Sequence, residues 1–231
     1  MKQYFKNKIR NFIIDILNYV LNSQTQNIKL ELAYRALKST ADYVEKNMKD
    51  VISVDSKYKV HDIAINNVTI ENGIVLEFGV YKGDTLNYIA KKLSKYDVYG
   101  FDSFEGLPEF WRDGFPKEAF ALNNLPQVEK NVKLIKGLFE ETLPLFVQKE
   151  KRKIAYLHID CDVYSSTKTV FNFLKNQIVS GTVIVFDEYF NYPGWEDHEY
   201  KAFQEFIKET GKKYKYLTYN SLHEQVALII I

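Results

Sequence analysis

Short apolar runs alternate with helical stretches from residue 74 to the end of the chain, and this alternation constrains the fold more than any other feature. Buried strands are predicted where the apolar runs lie, at residues 74–78, 98–101, 132–135, 154–159, 183–186, 214–219 and 225–231. Strands that alternate with helices pair in parallel, whereas the last two strands are joined by a short turn near Asn220 and Ser221. The sequence therefore predicts an α/β fold: a doubly wound sheet of seven strands, mostly parallel, with an antiparallel last strand.

Helices are predicted between these strands at residues 84–93, 140–150, 165–176 and 197–210. Two further helical stretches, 4–22 and 27–49, come first, and a mixed stretch, 50–72, follows them and ends in a turn signal. We therefore divide the chain into a helical N-terminal extension, residues 1–70, and an α/β domain, residues 71–231. The length of 231 residues suits one large α/β domain and is short for two.

The first predicted helix is amphipathic, with apolar residues at helical spacing: Phe5, Ile9, Phe12, Ile13, Ile16, Tyr19 and Val20. We expect this face to dock on the chain's own domain or on a second subunit, which leaves a homo-oligomer open. A membrane surface is a weaker alternative that rests on nearby basic residues: Lys2, Lys6, Lys8 and Arg10. Asp15 and Asn18 interrupt the apolar part, so neither a signal peptide nor a membrane span is predicted, and we expect a cytoplasmic protein.

Charge and cysteine content exclude some classes of partner and of stabilisation. The 31 basic and 30 acidic residues give a net charge of +1, which provides no overall field to attract nucleic acid. One cysteine, Cys161, excludes an intramolecular disulfide framework. The 16 Phe, 17 Tyr and 2 Trp supply enough rings for a thick core, a ligand pocket, or both.

A glycine turn follows the first strand of the α/β domain and opens a helix. Gly79 and Gly83 allow a tight turn and a close approach of the backbone to a ligand, and Glu77 precedes them. The pattern is neither the dinucleotide fingerprint, which has a third glycine, nor a P-loop, which needs Gly-Lys-Ser/Thr. An acid at this position suits a cationic ligand end, although a glycine turn with a surface glutamate is the plainer alternative.

An acidic residue also ends the second strand of the α/β domain. Asp102 lies 25 residues after Glu77. An acid about 20 residues beyond such a glycine turn commonly accepts hydrogen bonds from ribose hydroxyls. Together the two signals indicate a nucleoside-containing ligand, whereas Asp102 alone is also a candidate cap of the following segment.

Carboxylates collect at the ends of two further strands. Asp160 and Asp162 follow the strand 154–159, and Asp187 and Glu188 follow the strand 183–186. Crowded like charges are costly unless a cation or a proton relieves them, and hard oxygen ligands favour Mg²⁺. The sequence therefore predicts a divalent metal site, with Asp162 equally well explained as a helix cap and His158 as a core residue.

Together these motifs resemble the macrocin-type O-methyltransferase family. The resemblance covers residues 70–231 and is carried by the segments 77–83, 100–108, 137–144, 158–167 and 187–189. It implies a Rossmann-like class I fold that binds S-adenosylmethionine and methylates sugar hydroxyls with the help of Mg²⁺. It also implies that the N-terminal region helps shape oligomer contacts and the acceptor pocket.

The resemblance assigns roles to individual residues. The cofactor would be bound by the following set: Glu77, Gly79, Tyr81, Gly83 and Thr85 around the methionine part, Asp102 and Ser103 at the ribose, Gly137, Leu138 and Phe139 near the adenine, and Asp160. Asp160, Asp187 and Glu188 match the metal-binding acids, and Asp160 is also the expected catalytic base. Glu188 stands where the family more usually has a second aspartate.

The expected activity is transfer of a methyl group from S-adenosylmethionine to a hydroxyl of a small-molecule or glycan acceptor. The aromatic segment 104–125 is a candidate lid, and residues 191–195 are a second candidate pocket wall. One rival is an NAD-dependent oxidoreductase or sugar epimerase, which would need three glycines and a Tyr-x-x-x-Lys pair. A second rival is a catalytically inactive binding module with the same fold, in which the clustered acids would be expensive without a cation.

Overall fold

The computed structural model describes residues 2–25 and 27–231 and is built around a single sheet of eight strands. The strands are β1 Ile52–Val54, β2 Ile74–Phe78, β3 Asp97–Asp102, β4 Val132–Lys136, β5 Ile154–Ile159, β6 Val183–Phe186, β7 Tyr214–Asn220 and β8 Val226–Ile230. Their order across the sheet is β1-β7-β8-β6-β5-β2-β3-β4, and β8 runs antiparallel to both of its neighbours. The other neighbouring strands pair in parallel, which confirms the predicted Rossmann-like architecture.

Seven α-helices accompany the sheet within residues 2–25 and 27–231. They are α1 Lys2–Thr25, α2 Ile28–Asn47, α3 Lys57–Asn66, α4 Asp84–Lys92, α5 Phe139–Lys149, α6 Tyr164–Leu174 and α7 Glu199–Thr210, with a 3₁₀ turn at Trp195–Asp197. Gly83 precedes α4 and has a φ of 79°, a left-handed conformation that glycine adopts at little cost. The helices between strands begin and end within two residues of their predicted limits.

Helices cover both faces of the sheet, as the doubly wound prediction requires. On one face, Leu76 of β2 belongs to a core formed with aromatic residues of the helices α5, α6 and α7, among them Phe146, Phe171 and Phe203. On the opposite face, Val75 belongs to a second core, which contains side chains from α3 and α4, among them Leu86. Successive side chains of a strand point to opposite faces, so each buried strand contributes to both cores.

The sheet has eight strands rather than the predicted seven because residues 50–72 contain β1 as well as α3. Strand β1 is a three-residue edge strand with two exposed side chains, so it lacks the apolar run by which the other strands are recognised. It pairs in parallel with β7, and Thr218 donates a side-chain hydrogen bond to the Ile52 carbonyl at 2.7 Å. The predicted boundary after residue 70 therefore leaves one strand of the sheet and a core helix in the N-terminal extension.

The described part of the apolar face of α1 is open to solvent. Ile9, Phe12, Ile13 and Ile16 are between 46 and 65 % exposed, so these side chains do not dock on the chain's own domain. Phe5, Tyr19 and Val20 lie outside the residues whose side chains are described. Docking on a second subunit stays a prediction. Among the helices of residues 2–25 and 27–231, none is long and apolar enough to cross a membrane.

Candidate active site

A cavity of about 500 Å³ lies at the carboxyl ends of the parallel strands β2, β3, β5 and β6. Ligands of open α/β sheets bind at this edge, beside the point where strand order reverses. Its wall contains many of the residues singled out in the sequence: Gly79, Tyr81, Asp102, Ser103, Gly137, Leu138, Phe139, Asp160, Asp162, Asp187 and Glu188. We call the residues 79–83, 102–103 and 137–139 the glycine rim, and we call Asp160, Asp162, Asp187 and Glu188 the acid cluster.

Gly79 is required by the close approach of two strand ends. Its φ of 89° lies in the left-handed region, and a Cβ on this residue would overlap the carbonyl oxygen of Asp160. The two segments are joined by a hydrogen bond of 2.8 Å from the Asp160 N–H to the Phe78 carbonyl. The glycine therefore lets the glycine rim lie directly against the acid cluster.

Asp102 organises the glycine rim through its carboxylate. Its Oδ2 accepts hydrogen bonds from the N–H groups of Val80 and Tyr81, both at 2.8 Å, and its Oδ1 accepts one from the Phe104 N–H at 2.7 Å. The donors Val80 and Tyr81 therefore join the turn after β2 to the end of β3, and the bond from Phe104 caps the segment that follows Asp102. Asp102 also borders the cavity, and its role as a ligand residue stays a prediction.

The segment after β4 completes the glycine rim. Gly137 has a φ of 139°, and its N–H donates to the Asp102 carbonyl at 3.0 Å. Leu138 and Phe139 stand at the start of α5, and Leu138 is 37 % exposed. Ser103 faces the same space while its hydroxyl donates to the Gly106 carbonyl at 3.1 Å. An apolar side chain beside a helix start suits the flat ring of a nucleoside base.

Three of the predicted cofactor residues do not belong to the cavity wall. Gly83 precedes α4 and Thr85 lies in its first turn, and neither residue borders the cavity. Glu77 is 1 % exposed, and its Oε2 lies 2.9 Å from Nδ1 of His158, which is itself fully buried. The structure thus places Glu77 in contact with a histidine of the neighbouring strand, where sequence analysis expected contact with a cationic ligand end.

The predicted metal-binding acids converge. Asp160, Asp187 and Glu188 each offer a carboxylate oxygen, and these oxygens lie within 4.8 Å of one another. Asp160 follows β5, and the other two follow β6, which pairs with β5 in parallel. Asp162 lies beside them at the cavity wall with a φ of 65°, a strained conformation for a residue other than glycine.

Mutual proximity and burial shift the ionisation of the acid cluster. Burial, followed by the charge of Asp187, raises the pKa of Asp160 well above its usual range. The same causes raise the pKa of Asp162 to about 7, and burial with neighbouring acids raises the pKa of Glu188 strongly. For Asp187, burial is outweighed by the charge on His158, 3.9 Å away, and the pKa falls below its usual range. A divalent cation would relieve the remaining repulsion.

The hydrogen bonding of the carboxylate oxygens gives an independent indication that these residues suit a hard cation. Asp187 Oδ1 and Glu188 Oε2 are buried and find no hydrogen-bond partner among the described residues. Buried polar atoms are otherwise almost always paired, so each open oxygen needs an explanation. Three carboxylates whose oxygens lie within 4.8 Å of one another, two of them with a buried oxygen left open, form the ligand type that Mg²⁺ prefers.

Sequence analysis missed two charged residues near the acids. Lys57, at the start of α3, belongs to the cavity wall, and the carboxylates of Asp187 and Asp160 raise its pKa against the effect of burial. Glu199, the first residue of α7, is fully buried and accepts from the N–H groups of Cys161 and Glu188 at 3.4 and 3.3 Å. Neither residue follows a strand of the predicted pattern, so no sequence signal pointed to them.

The candidate lid, segment 104–125, forms the aromatic side of the cavity. Trp111, Phe115 and Phe120 belong to its wall, and Trp111 is buried. The guanidinium carbon of Arg112 lies 3.9 Å from the centre of the Trp111 ring, and Arg112 bonds both carboxylate oxygens of Glu224 at 2.9 and 3.1 Å. A cation stacked on an aromatic ring and a paired carboxylate hold this wall in place.

The second candidate wall, residues 191–195, has a different role. Within residues 2–25 and 27–231, the cavity wall includes none of these five residues. The Trp195 ring nitrogen donates to Ser39 at 3.0 Å, and the Asn191 N–H donates to Thr40 at 2.9 Å, so the segment fastens α2 to the domain. The prediction was wrong because Trp195 serves helix packing, while Tyr192 packs against Trp111 and Arg112 without bordering the cavity itself.

Comparisons with known proteins agree with this arrangement. A family model described as "Methyltransferase domain" matches residues 76–189, just under half of the chain, and the match includes the glycine rim and the acid cluster. A curated relative, the demethyldecarbamoylnovobiocin O-methyltransferase of Streptomyces niveus, is 27 % identical over 169 residues. That match spans 62 % of this chain and 62 % of the relative.

Two solved methyltransferase structures share the fold. The calicheamicin methyltransferase CalS11 superposes with a TM-score of 0.61 at 22 % identity, over 73 % of this chain and 76 % of that one. The O-methyltransferase NovP gives a TM-score of 0.53 at 21 % identity, over 74 and 76 % of the two chains. The chain therefore has a Rossmann-like methyltransferase fold, and its residues 76–189 are similar to a methyltransferase domain.

Proposed function

We propose that the protein is an S-adenosylmethionine-dependent O-methyltransferase that acts on a sugar hydroxyl with the help of a divalent metal ion. The observation that carries the proposal is one cavity bounded on one side by the glycine rim and on the other by acids with open, buried oxygens. The methyltransferase match of residues 76–189 and the resemblance to macrocin-type enzymes support it.

The glycine rim would hold the cofactor. S-adenosylmethionine, when bound, supplies a methyl group already activated by a positive sulfonium. Gly79 and Tyr81 offer backbone beside the acid cluster, where a cationic methionine end is favoured. Asp102 and Ser103 would accept hydrogen bonds from the ribose hydroxyls, and Leu138 and Phe139 would pack against the adenine.

Asp160, Asp187 and Glu188 would hold the divalent ion. A cation held there lowers the pKa of a hydroxyl that reaches it, which a weakly acidic alcohol needs before it can attack a methyl group. Glu188 is one methylene longer than the aspartate more usual in the resembling family, yet its carboxylate still reaches the other two acids. The short distances between the three carboxylates therefore support a bound metal ion.

Proton removal from the acceptor hydroxyl is assigned to Asp160. This carboxylate stands between the glycine rim and the other acids, so an acceptor oxygen bound there lies within its reach. Asp162 is a second candidate because it borders the cavity outside the three-acid group and has a pKa of about 7. A base works best when its pKa is near the working pH.

The aromatic wall indicates the kind of acceptor. Trp111, Phe115 and Phe120 offer apolar ring faces that pack against a sugar ring and exclude water. The Streptomyces niveus relative is named for a small natural product, demethyldecarbamoylnovobiocin. We therefore infer that the acceptor is a sugar in a glycan or glycosylated natural product, encountered in the cytoplasm.

Calorimetry tests the cofactor and metal assignments together. The protein is titrated with S-adenosylmethionine and separately with NAD, each with and without Mg²⁺. We expect S-adenosylmethionine to bind, NAD not to bind, and Mg²⁺ to bind in the presence of the methyl donor. Binding of NAD alone would overturn the assignment and favour an oxidoreductase.

The acceptor is then sought by mass spectrometry of glycans and small glycosides from cells that lack the gene, as a species that has lost one methyl group.

A further inference from the structure

Next to the acid cluster, two fully buried histidines and one acid each have a side-chain atom without a hydrogen-bond partner among the described residues. His61 comes from α3 and His158 from β5, and both are 0 % exposed. The Nε2 atoms of both rings and Oδ1 of Asp187 find no hydrogen-bond partner in the part of the chain that the structure describes. One potential ligand atom from each of these residues lies within 4.8 Å of the others.

The other polar atom of each of these side chains is occupied. Nδ1 of His61 lies 2.6 Å from the Tyr156 hydroxyl, and Nδ1 of His158 lies 2.9 Å from Glu77 Oε2. Gln225 donates to Asp187 Oδ2 at 3.2 Å. Metal-ligating histidines are held in this way, with one ring nitrogen bonded to a protein group and the other directed at the ion.

The placement of the rings also suits a shared ion. The centres of the two imidazole rings are 4.7 Å apart with planes at 83°, and His158 Nε2 is 3.9 Å from Asp187 Oδ1. These separations keep the ring nitrogens close without stacking the rings face to face. Two imidazoles and one carboxylate form a ligand set typical of Zn²⁺ and related transition metals, whereas Mg²⁺ and Ca²⁺ prefer oxygen alone.

We propose that His61, His158 and Asp187 form a transition-metal site of the Zn²⁺ class, distinct in ligand chemistry from the all-oxygen group of the acid cluster. Asp187 is common to both groups and borders the cavity. An ion bound here replaces the proton on His158, because a ligating imidazole is neutral. It would also tie α3, from the N-terminal extension, to the central strand β5.

Lys57 is the nearby cation that competes with such an ion. It lies at the start of α3, the same helix that carries His61, and the charges of Asp187 and Asp160 act on its ammonium. Its side chain borders the cavity, so it would have room to move away from an ion bound at Asp187.

Electron paramagnetic resonance of the protein with Cu²⁺ tests the site, because a ligating imidazole gives coupling to nitrogen nuclei and carboxylate ligands give none. The full chain, without a histidine tag, contains four histidines in total, and His223 is an exposed control. We expect nitrogen coupling in the unaltered protein and in His223→Ala. His61→Ala should lose part of this coupling. It should also weaken Zn²⁺ binding, measured by calorimetry, by more than about 100-fold, which exceeds the loss expected when only a group that hydrogen-bonds a ligand is removed.

A second variant covers the case in which His61→Ala fails to fold, as judged by circular dichroism. Tyr156→Phe keeps the ring and removes only the hydroxyl beside His61 Nδ1, and we expect a roughly 10- to 100-fold loss of Zn²⁺ affinity. Absence of nitrogen coupling in the unaltered protein would overturn the proposal. So would a Zn²⁺ affinity that is the same in His61→Ala and Tyr156→Phe as in the unaltered protein.

Failure of this site is distinguishable from failure of the proposed function. Asp160→Asn and Glu188→Gln alter the all-oxygen group and leave both histidines and Asp187 in place. We expect these two variants to lose Mg²⁺ binding and to keep nitrogen coupling with Cu²⁺. If instead the coupling disappears with them, the copper ion sits among the acids and the histidine site is refuted.

Discussion

The glycine rim and the acid cluster border the same cavity but differ in how their polar atoms are satisfied. In the glycine rim, the Asp102 carboxylate accepts three backbone hydrogen bonds, and Gly79 permits a close backbone crossing. In the acid cluster, Asp187 and Glu188 each keep a buried oxygen that has no partner within the described residues. A satisfied network holds one shape by itself, whereas open buried oxygens are costly until a ligand arrives.

The difference suggests a division of labour. Under the proposed function, the glycine rim would receive a nucleoside-containing donor with little change of shape. In the acid cluster, a divalent ion and an acceptor hydroxyl would relieve the repulsion between neighbouring carboxylates. Changes to the rim should therefore alter folding and donor affinity, and changes to the acids should alter turnover and the response to metal.

The largest expected effect is on turnover and comes from the acid cluster. Asp160→Asn keeps the size of the side chain but removes its charge and its capacity to take a proton. We expect turnover to fall by about 10²- to 10⁴-fold, the usual contribution of a positioned base, while affinity for S-adenosylmethionine is kept. Asp197→Asn, an exposed change, is the control. Persistent turnover in Asp160→Asn would refute the base assignment, and Asp162→Asn would then be the next variant.

The next effect is on stability and comes from the glycine rim. Gly79→Ala places a Cβ on the Asp160 carbonyl oxygen at a φ of 89°, whereas Gly114 has a φ of 91° and no atom of the described chain within 4 Å of its Cβ position. Left-handed strain costs about 1–2 kcal/mol and overpacking about 1–3 kcal/mol more, so Gly79→Ala should lose roughly 2–5 kcal/mol of unfolding free energy. Denaturant unfolding measures the stability of Gly79→Ala and of the control Gly114→Ala. Equal losses of unfolding free energy in the two variants would show that Gly79 does not lie against Asp160.

A smaller effect is expected on donor affinity. Asp102→Ala removes the carboxylate that holds the turn after β2, and we expect affinity for S-adenosylmethionine to fall by about 1–3 kcal/mol. Asp102→Asn keeps one acceptor oxygen and should lie between Asp102→Ala and the unaltered chain. Titration calorimetry provides the measurement. Unchanged affinity in the alanine variant would remove the ribose role from this residue.

The smallest effect is a pH dependence of stabilisation by Mg²⁺. Burial holds the pKa of Asp162 at about 7, against 3.8 for a free aspartate, and raises those of Asp160 and Glu188 well above their usual range. Without metal, a carboxyl whose pKa is higher in the folded protein than in the unfolded chain favours the folded state when it is protonated. The stability that these acids contribute therefore declines as pH rises from their pKa in the unfolded chain to their pKa in the folded protein. Ionised acids bind Mg²⁺ better, so the rise in melting temperature on adding Mg²⁺ should be larger at pH 8 than at pH 6. A larger rise at pH 6 would contradict the cation role of the cluster.

The sheet could be predicted from sequence because buried strands carry their own signal. The runs 74–78, 154–159 and 183–186 are continuous apolar segments bounded by polar residues, and the structure has strands at the same positions. Strand β1 was missed because an edge strand of three residues, two of them exposed, has no such run. Periodicity therefore reports burial, and it fails where the backbone pairs without burying side chains.

The site could be predicted only where its residues directly follow strands. The ends of β5 and β6 placed Asp160, Asp187 and Glu188 together because parallel neighbouring strands end at one edge. Lys57 and His61 come from a helix far earlier in the chain, and only the folded chain brings them to the same acids. Glu77 shows the opposite failure, since its motif pointed to a ligand while its carboxylate lies against His158.

Diffraction from crystals grown with Mn²⁺ and S-adenosylhomocysteine tests the central claim most directly, because Mn²⁺ takes the place of Mg²⁺ and is located by its anomalous signal. The account predicts a peak in contact with Asp160, Asp187 and Glu188, with the nucleoside lying along the glycine rim. Acids that bind only water or Lys57 under these conditions, with no peak among them, would contradict it.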